Sequence, residues 1–178
     1  MSEEKGHTLT LEELSQIATI VTGIGILIAV WQLRDSKVQR VRQFEDFYIQ
    51  RYWSLMDELS LSALKSMLSL ANGAPTADFE DDDLRAAYSY LVLCEDEAEL
   101  RRGGWISDVT WSLWRDYIAS QLKRPPFDHA WNEIRLDREP GSPRPFEHLR
   151  ALSAAHSEGR GYDPCSLRVS RRWLRGLR

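Results

Sequence analysis

Cysteine is scarce in this chain: Cys94 and Cys165 are the two thiols among 178 residues. A small domain of an oxidising compartment usually carries a dense disulfide framework, so this usage favours a reducing compartment. His-Glu-x-x-His and Cys-x-x-Cys motifs are both missing. These absences exclude the strongest sequence signatures of a zinc site.

No motif in the chain identifies a reaction. No Gly-rich phosphate loop is present, and the Ser-x-x-Lys spacing of Ser62 and Lys65 lacks the partner motifs of penicillin-recognising enzymes. A shared metal is the other candidate, and its ligands would come from His129, Glu133, Glu147, His148 and His156. A surface histidine beside a carboxylate is the commoner arrangement. We therefore predict a non-catalytic protein with no cofactor and no metal.

Two acidic runs, residues 78–83 and 95–99, lack the alternating ligands and the turn glycine of a calcium loop. Carboxylates at a helix start favour the positive end of the helix dipole and can cap free N–H groups. The first run therefore predicts a solvated helix start rather than a cation site.

Charge is missing from residues 14–33 (LSQIATIVTGIGILIAVWQL). As a helix, these 20 residues would be about 30 Å long, which matches the hydrocarbon thickness of a bilayer. Trp31 would lie at one interface, and Arg34 follows directly. We predict a transmembrane helix. A core helix of a soluble protein is usually shorter and amphipathic, and a cleaved signal peptide needs a basic start that this acidic N-terminus lacks.

Basic residues near the two ends of the run predict its orientation. Only Lys5 precedes it, whereas five basic residues follow it closely: Arg34, Lys37, Arg40, Arg42 and Arg51. We therefore expect a short non-cytoplasmic tail (residues 1–13), one span of the inner cell membrane, and a cytoplasmic domain (residues 34–165).

Small residues recur on one face of the predicted span, at steps of three and four: Ser15, Ala18, Thr22, Gly25 and Ala29. Small side chains let two helix backbones approach closely in a bilayer. The pattern predicts a helix–helix contact between copies, although small residues are common in any span.

Strand signals are poor after the span, and helical periodicity dominates, so an all-α bundle is expected. The first helix should run out of the membrane to about residue 59. Further helices are predicted at residues 62–71, from the acidic run to residue 102, at 108–123, around residue 131 and at 146–156. In the helix at 108–123 we expect Val109, Leu113, Trp114, Tyr117 and Ile118 to face inward. Trp111 falls off that face and could mark a partner surface.

Residues 166–178 form a basic amphipathic tail with a net charge of +5. Its predicted contacts with the leaflet or a partner are Arg168, Arg171, Arg172, Trp173 and Arg175. A basic helix carrying a Trp suits an anionic leaflet. The alternatives are a disordered tail and a helix docked on residues 61–100, whose net charge is −7. Nucleic acid is not an expected partner, because the domain otherwise lacks a basic face.

The layout of the chain resembles a loose group of uncharacterised bacterial single-pass membrane proteins with a cytoplasmic all-helical domain. The segments that carry the resemblance are residues 17–25 (IATIVTGIG), 31–34 (WQLR), 44–48 (FEDFY) and 111–114 (WSLW). The resemblance implies an all-α cytoplasmic domain on a single anchor and brings no activity with it.

Self-association, or binding of a protein partner at the inner leaflet, is the function these patterns favour. Anionic lipid is a further expected contact. A membrane-disrupting effector whose spans oligomerise is the alternative, followed by an enzyme with a dispersed site.

Overall fold

The computed structural model describes residues 11–68, 79–136 and 145–177. Helices make up 80% of these residues and no strand occurs among them, which confirms the predicted all-α fold. The helices are α1 (Leu11–Asp57), α2 (Leu61–Leu68), α3 (Asp81–Gly103), α4 (Asp108–Gln121), α5 (Phe127–Leu136), α6 (Glu147–Ser157) and α7 (Val169–Leu174).

Helix α1 is continuous over 47 residues, so it is about 70 Å long. Its N-terminal part is long and apolar enough to cross a membrane, and none of its most apolar window is buried by the other described residues. The core helix of a soluble protein would be mostly covered. Its C-terminal part joins the bundle through Val41, Leu55 and Met56, which are buried.

Helix α3 is the centre of the bundle and packs against α1, α5 and α6. Leu91, Cys94 and Ala98 are fully buried on it, and the ring of Tyr90 lies 4.5 Å from that of Phe127 on α5. One face of this helix therefore lies in the core of the bundle.

Both ends of α3 follow the local signals in the sequence. Glu80 and Asp83 form a reciprocal capping box at the start, as the acidic run predicts. Gly104 ends the helix with a φ of 74°, a left-handed conformation that favours glycine. Ser107 then caps α4 by accepting a hydrogen bond from the Thr110 amide.

Acidic side chains also cap neighbouring helices, which the sequence did not indicate. Glu95 on α3 accepts hydrogen bonds from the amides of His148 and Leu149 at the start of α6, both at 2.9 Å. Glu45 on α1 accepts one from the Ser107 amide at 2.7 Å. Carboxylates at these positions satisfy free N–H groups and favour the helix dipole. The acidic residues thereby hold α6 on α3 and α4 on α1.

The predicted inward face of α4 is wrong in part. Val109 and Leu113 are 69% and 67% exposed, whereas Trp111 is 2% exposed. The indole Nε1 of Trp111 donates a hydrogen bond to the carbonyl of Tyr162 at 2.9 Å. Because α4 is covered by α6 and by the segment after it, the side that carries Trp111 turns inward. Trp111 therefore cannot be the exposed partner surface expected from the sequence.

Some predictions lie outside the described residues. These are the non-cytoplasmic tail up to residue 10, the last residues (69–71) of the second predicted helix and residue 178 of the basic tail.

Candidate functional site

The C-terminal segment (residues 163–177) lies against α1 just past the apolar run of that helix (residues 14–33). The guanidinium of Arg34 stacks 4.7 Å from the centroid of the Trp173 ring. Four residues further along α1, Val38 meets the backbone at Gly176. Helix α7 is therefore placed beside the point where the apolar part of α1 ends.

Gly176 allows this close approach. Its φ is 73°, and a Cβ there would lie 2.6 Å from Cγ2 of Val38 and 3.1 Å from the Val38 backbone. Any side chain would both strain the backbone and collide with α1. The next residue, Leu177, is 1% exposed, and its carbonyl accepts a hydrogen bond from the Asp108 amide at 2.8 Å.

Two arginines and two aspartates connect the C-terminal segment to the corner between α3 and α4. Arg101 is 1% exposed and donates to Asp108 at 2.7 Å and to Asp163 at 2.9 and 2.7 Å. Arg172 on α7 lies 3.2 Å from both Asp108 and Asp163. It also donates to the carbonyls of Leu167 and Cys165. The C-terminal segment is thus part of the folded domain.

The charges in this cluster support each other. Burial alone would raise the pKa of Asp163, but hydrogen bonds from Arg101 and from the Cys165 amide outweigh it and hold that pKa below its usual value. Burial alone would lower the pKa of Arg101, and its hydrogen bonds to Asp163 and Asp108 raise it instead. Both partners are therefore charged at neutral pH.

These contacts correct two predictions about the tail. Arg172 is not available to a leaflet, because its guanidinium is occupied within the domain. The alternative of docking on the acidic residues 61–100 is also wrong for Arg172, since the carboxylates that hold it are Asp108 and Asp163. The acidic run at the start of α3 does not provide them.

The other predicted tail residues lie at the surface. Arg168 and Arg171 are exposed, and Trp173 is 49% exposed beside the exposed side chains of Val169 and Leu174. Arg175 is exposed and donates to the Gly103 carbonyl at 2.7 Å. Helix α7 thus presents both basic and apolar side chains near the end of the apolar run.

A basic cleft of about 280 Å³ opens next to this surface. Lys37 and Arg40 of α1 line one side, and Arg175 and Trp105 line the other. The spacing of Arg34, Lys37 and Arg40 at every third residue places them on neighbouring positions of one helix. That spacing could have identified the α1 half of the cleft, whereas the contribution of Arg175 depends on the fold.

The small-residue face is open along its whole length. Ser15, Ala18, Thr22, Gly25 and Ala29 are all exposed. A Cβ at Gly25 would meet no atom within 4 Å. The Thr22 hydroxyl donates to the Ala18 carbonyl at 2.8 Å, so its hydrogen-bond donor is satisfied within the helix. The face can therefore accept a closely packed neighbour without leaving that donor unpaired.

The candidate catalytic and metal residues do not come together as a site within the described residues. The Ser62 hydroxyl contacts the Ser60 hydroxyl at 2.8 Å, and no hydrogen bond joins it to Lys65 in the part of the chain that the structure describes. The two ring nitrogens of His148 contact Tyr162 and Glu99. Across residues 11–68, 79–136 and 145–177, no three His, Cys, Asp or Glu side chains gather as metal ligands.

Comparisons with protein-family profiles, with curated proteins and with solved structures give no match. Function must therefore be inferred from the residues of this chain.

Proposed function

We propose that this protein is a single-pass protein of the inner cell membrane, anchored by α1, with its helical domain on the cytoplasmic side. It acts without catalysis, by self-association through the membrane-spanning part of α1. The chain would thus hold a folded domain, and any protein partner of that domain, at the inner leaflet.

The observation that carries this proposal is the exposure of the apolar part of α1. Its most apolar 18-residue window is 0% buried, although the same helix continues directly into a part that packs against the bundle. A contiguous exposed surface of this kind is unfavourable in water. A bilayer would remove it from water over a length that matches the hydrocarbon core.

The position of α7 supports the same arrangement. Trp173 contacts Arg34, the first charged residue after the apolar run, and a Trp at that level suits the membrane interface. Lys37 and Arg40 lie about 5 and 9 Å further along the helix, where lipid phosphates would be found. The exposed arginines Arg168 and Arg171 would face the same anionic surface.

Membrane fractionation and protease protection test the anchoring. The full chain with a C-terminal tag is expected in the membrane fraction after carbonate extraction, with the tag protected from protease in spheroplasts. A tag that is cleaved in intact spheroplasts would contradict the cytoplasmic orientation. Release of the chain by carbonate would contradict the membrane span itself.

Paired glycine substitutions test self-association. Gly25→Leu lies on the small-residue face and should weaken oligomers in detergent by about tenfold, because its side chain separates the two backbones. Gly23→Leu makes the same change off that face and serves as the control, since both glycines have no neighbouring atom within 4 Å. Equal oligomer distributions for the two variants, measured by sedimentation, would contradict the proposed contact.

A further inference from the structure

An aromatic cavity of about 340 Å³ opens between α1, α3 and α4, away from the basic cleft. Three helices contribute its five aromatic residues: Tyr48, Tyr52, Tyr90, Trp114 and Tyr117. The volume falls within the range of sites for small molecules.

The wall of the cavity is organised by contacts among these rings. The hydroxyls of Tyr52 and Tyr117 are 2.7 Å apart, and their ring centroids are 5.9 Å apart. The ring of Tyr90 lies 6.1 Å from that of Tyr52 and is 2% exposed. The fold therefore presents several aromatic rings to one space.

One carboxyl group shares this cavity. Glu97 of α3 lines it and is 6% exposed. Within the described ranges 11–68, 79–136 and 145–177, no hydrogen bond or ion pair reaches this carboxyl. A buried carboxylate is normally paired, because an unpaired one costs free energy. Burial therefore favours the protonated form of Glu97 in the empty cavity, and a cationic partner would stabilise its ionised form.

No lysine or arginine is among the described residues that line the cavity, so these residues offer Glu97 no basic partner. Burial raises the pKa of Tyr48 and Tyr52 above their usual value, so both hydroxyls are neutral at physiological pH. Any negative charge in the cavity therefore resides on Glu97. An anionic ligand would find no basic group.

We propose that this cavity binds a small organic cation of the alkylammonium class, held by the aromatic rings and by the Glu97 carboxylate. Aromatic faces attract such cations through their quadrupoles, and a desolvated carboxylate supplies the opposite charge. The more exposed side chains of Ile49, Leu113 and Tyr117 lie at the rim, so a ligand can enter between α1 and α4.

Binding should depend on pH. Burial, with a smaller contribution from Asp96, raises the pKa of Glu97 to about 8, so the empty site is mostly protonated at pH 7. The other groups facing it are the neutral Tyr48, Tyr90 and Cys94. A cation favours the ionised carboxylate, so binding releases a proton and the affinity rises about tenfold per pH unit below that pKa.

The test is a titration of the full chain in a neutral maltoside detergent, followed by tryptophan fluorescence. The probes are tetramethylammonium, choline and benzyltrimethylammonium, and the control ligand is 3,3-dimethylbutan-1-ol, the uncharged isostere of choline. We expect choline to bind at least tenfold tighter than this uncharged isostere. Failure of all three cations to bind, or equal binding of choline and its isostere, would overturn the proposal.

Two isosteric variants complete the test. Glu97→Gln should lose both the preference for the cation and the pH dependence, whereas Glu99→Gln, an exposed carboxylate on the same helix, should lose neither. If Glu97→Gln binds the cation as the parent chain does, the proposal fails. Competition by short-chain phosphatidylcholine would identify a lipid headgroup as the source of the cation, and its absence would identify a soluble one. The readout needs neither membrane insertion nor self-association, so it is independent of the proposed function.

Discussion

At the scale of single residues, the arginines of this chain differ sharply in what they do. Arg101 is enclosed by two carboxylates and by the Ile106 carbonyl, whereas Arg102 beside it pairs with Glu99 at the surface. The sequence shows two adjacent arginines before a glycine stop and predicts the same role for both. Only the packing of Asp163 from a distant segment makes Arg101 a buried charge.

Replacing Arg101 should therefore destabilise the domain much more than replacing Arg102. We expect Arg101→Met to lower the free energy of unfolding by about 3 kcal/mol, because two carboxylates lose their buried partner. Arg102→Met should cause no measurable loss, since solvent screens that pair. Urea unfolding of the full chain in detergent measures both variants. Similar midpoints would contradict the role given to Arg101.

At the scale of elements, the sequence predicts ends of helices better than their faces. The capping box of α3, the end of that helix at Gly104 and the Ser107 cap all depend on hydrogen bonds between near neighbours. Helix α4 carries apolar side chains on more than one side, so periodicity alone could not select the buried one. The Tyr162 carbonyl and α6 select the face with Trp111.

The packing of α7 against α1 should depend on Gly176. Gly176→Ala combines a left-handed backbone with a collision against Val38, so we expect a loss of about 2–4 kcal/mol and faster tryptic cleavage at the tail arginines. Gly159→Ala is the matched control, because its φ is 68° and no atom lies within 4 Å of the added Cβ. It should cost about 1 kcal/mol, without exposing the tail. Equal tryptic rates in the two variants would show that contact with α1 does not hold α7.

At the scale of the whole molecule, two carboxylates give the stability of the bundle opposite dependences on pH. The pKa of Asp163 is lowered by its arginine partners, so its contribution is lost as the pH falls through that pKa. The pKa of Glu97 is raised from 4.5 to about 8 by burial and by Asp96, so the folded state holds this proton while the unfolded state has released it. The titration of Glu97 therefore lowers the free energy of unfolding as the pH rises.

The Glu97 effect gives a measurable slope. Between about pH 5 and pH 8 the free energy of unfolding should fall by about 1.4 kcal/mol per pH unit from this group alone. Glu97→Gln removes the titration, so its free energy of unfolding at pH 7 should exceed that of the parent chain by on the order of 3 kcal/mol. Urea unfolding at pH 6, 7, 8 and 9 compares the two chains. Parallel profiles would mean that Glu97 does not titrate in this range.

The candidate sites also differ in whether the sequence alone indicates them. The basic residues after the apolar run and the small-residue face can be read directly from the sequence, because each depends on spacing along one helix. The basic cleft needs Arg175 and Trp105 beside α1, and the aromatic cavity needs three helices at once. Neither combination has a signature within one segment.

Local sequence is enough to indicate the helical class, the uncharged apolar run, the ends of α3 and the cap of α4, because these depend on hydrogen bonds and hydrophobic periodicity between near neighbours. Long-range packing, in contrast, buries Trp111, pairs Arg172 inside the domain and places Glu97 at an aromatic cavity. Each of these depends on which distant residues approach, since burial and charge pairing are properties of the assembled surface and not of a residue's own segment.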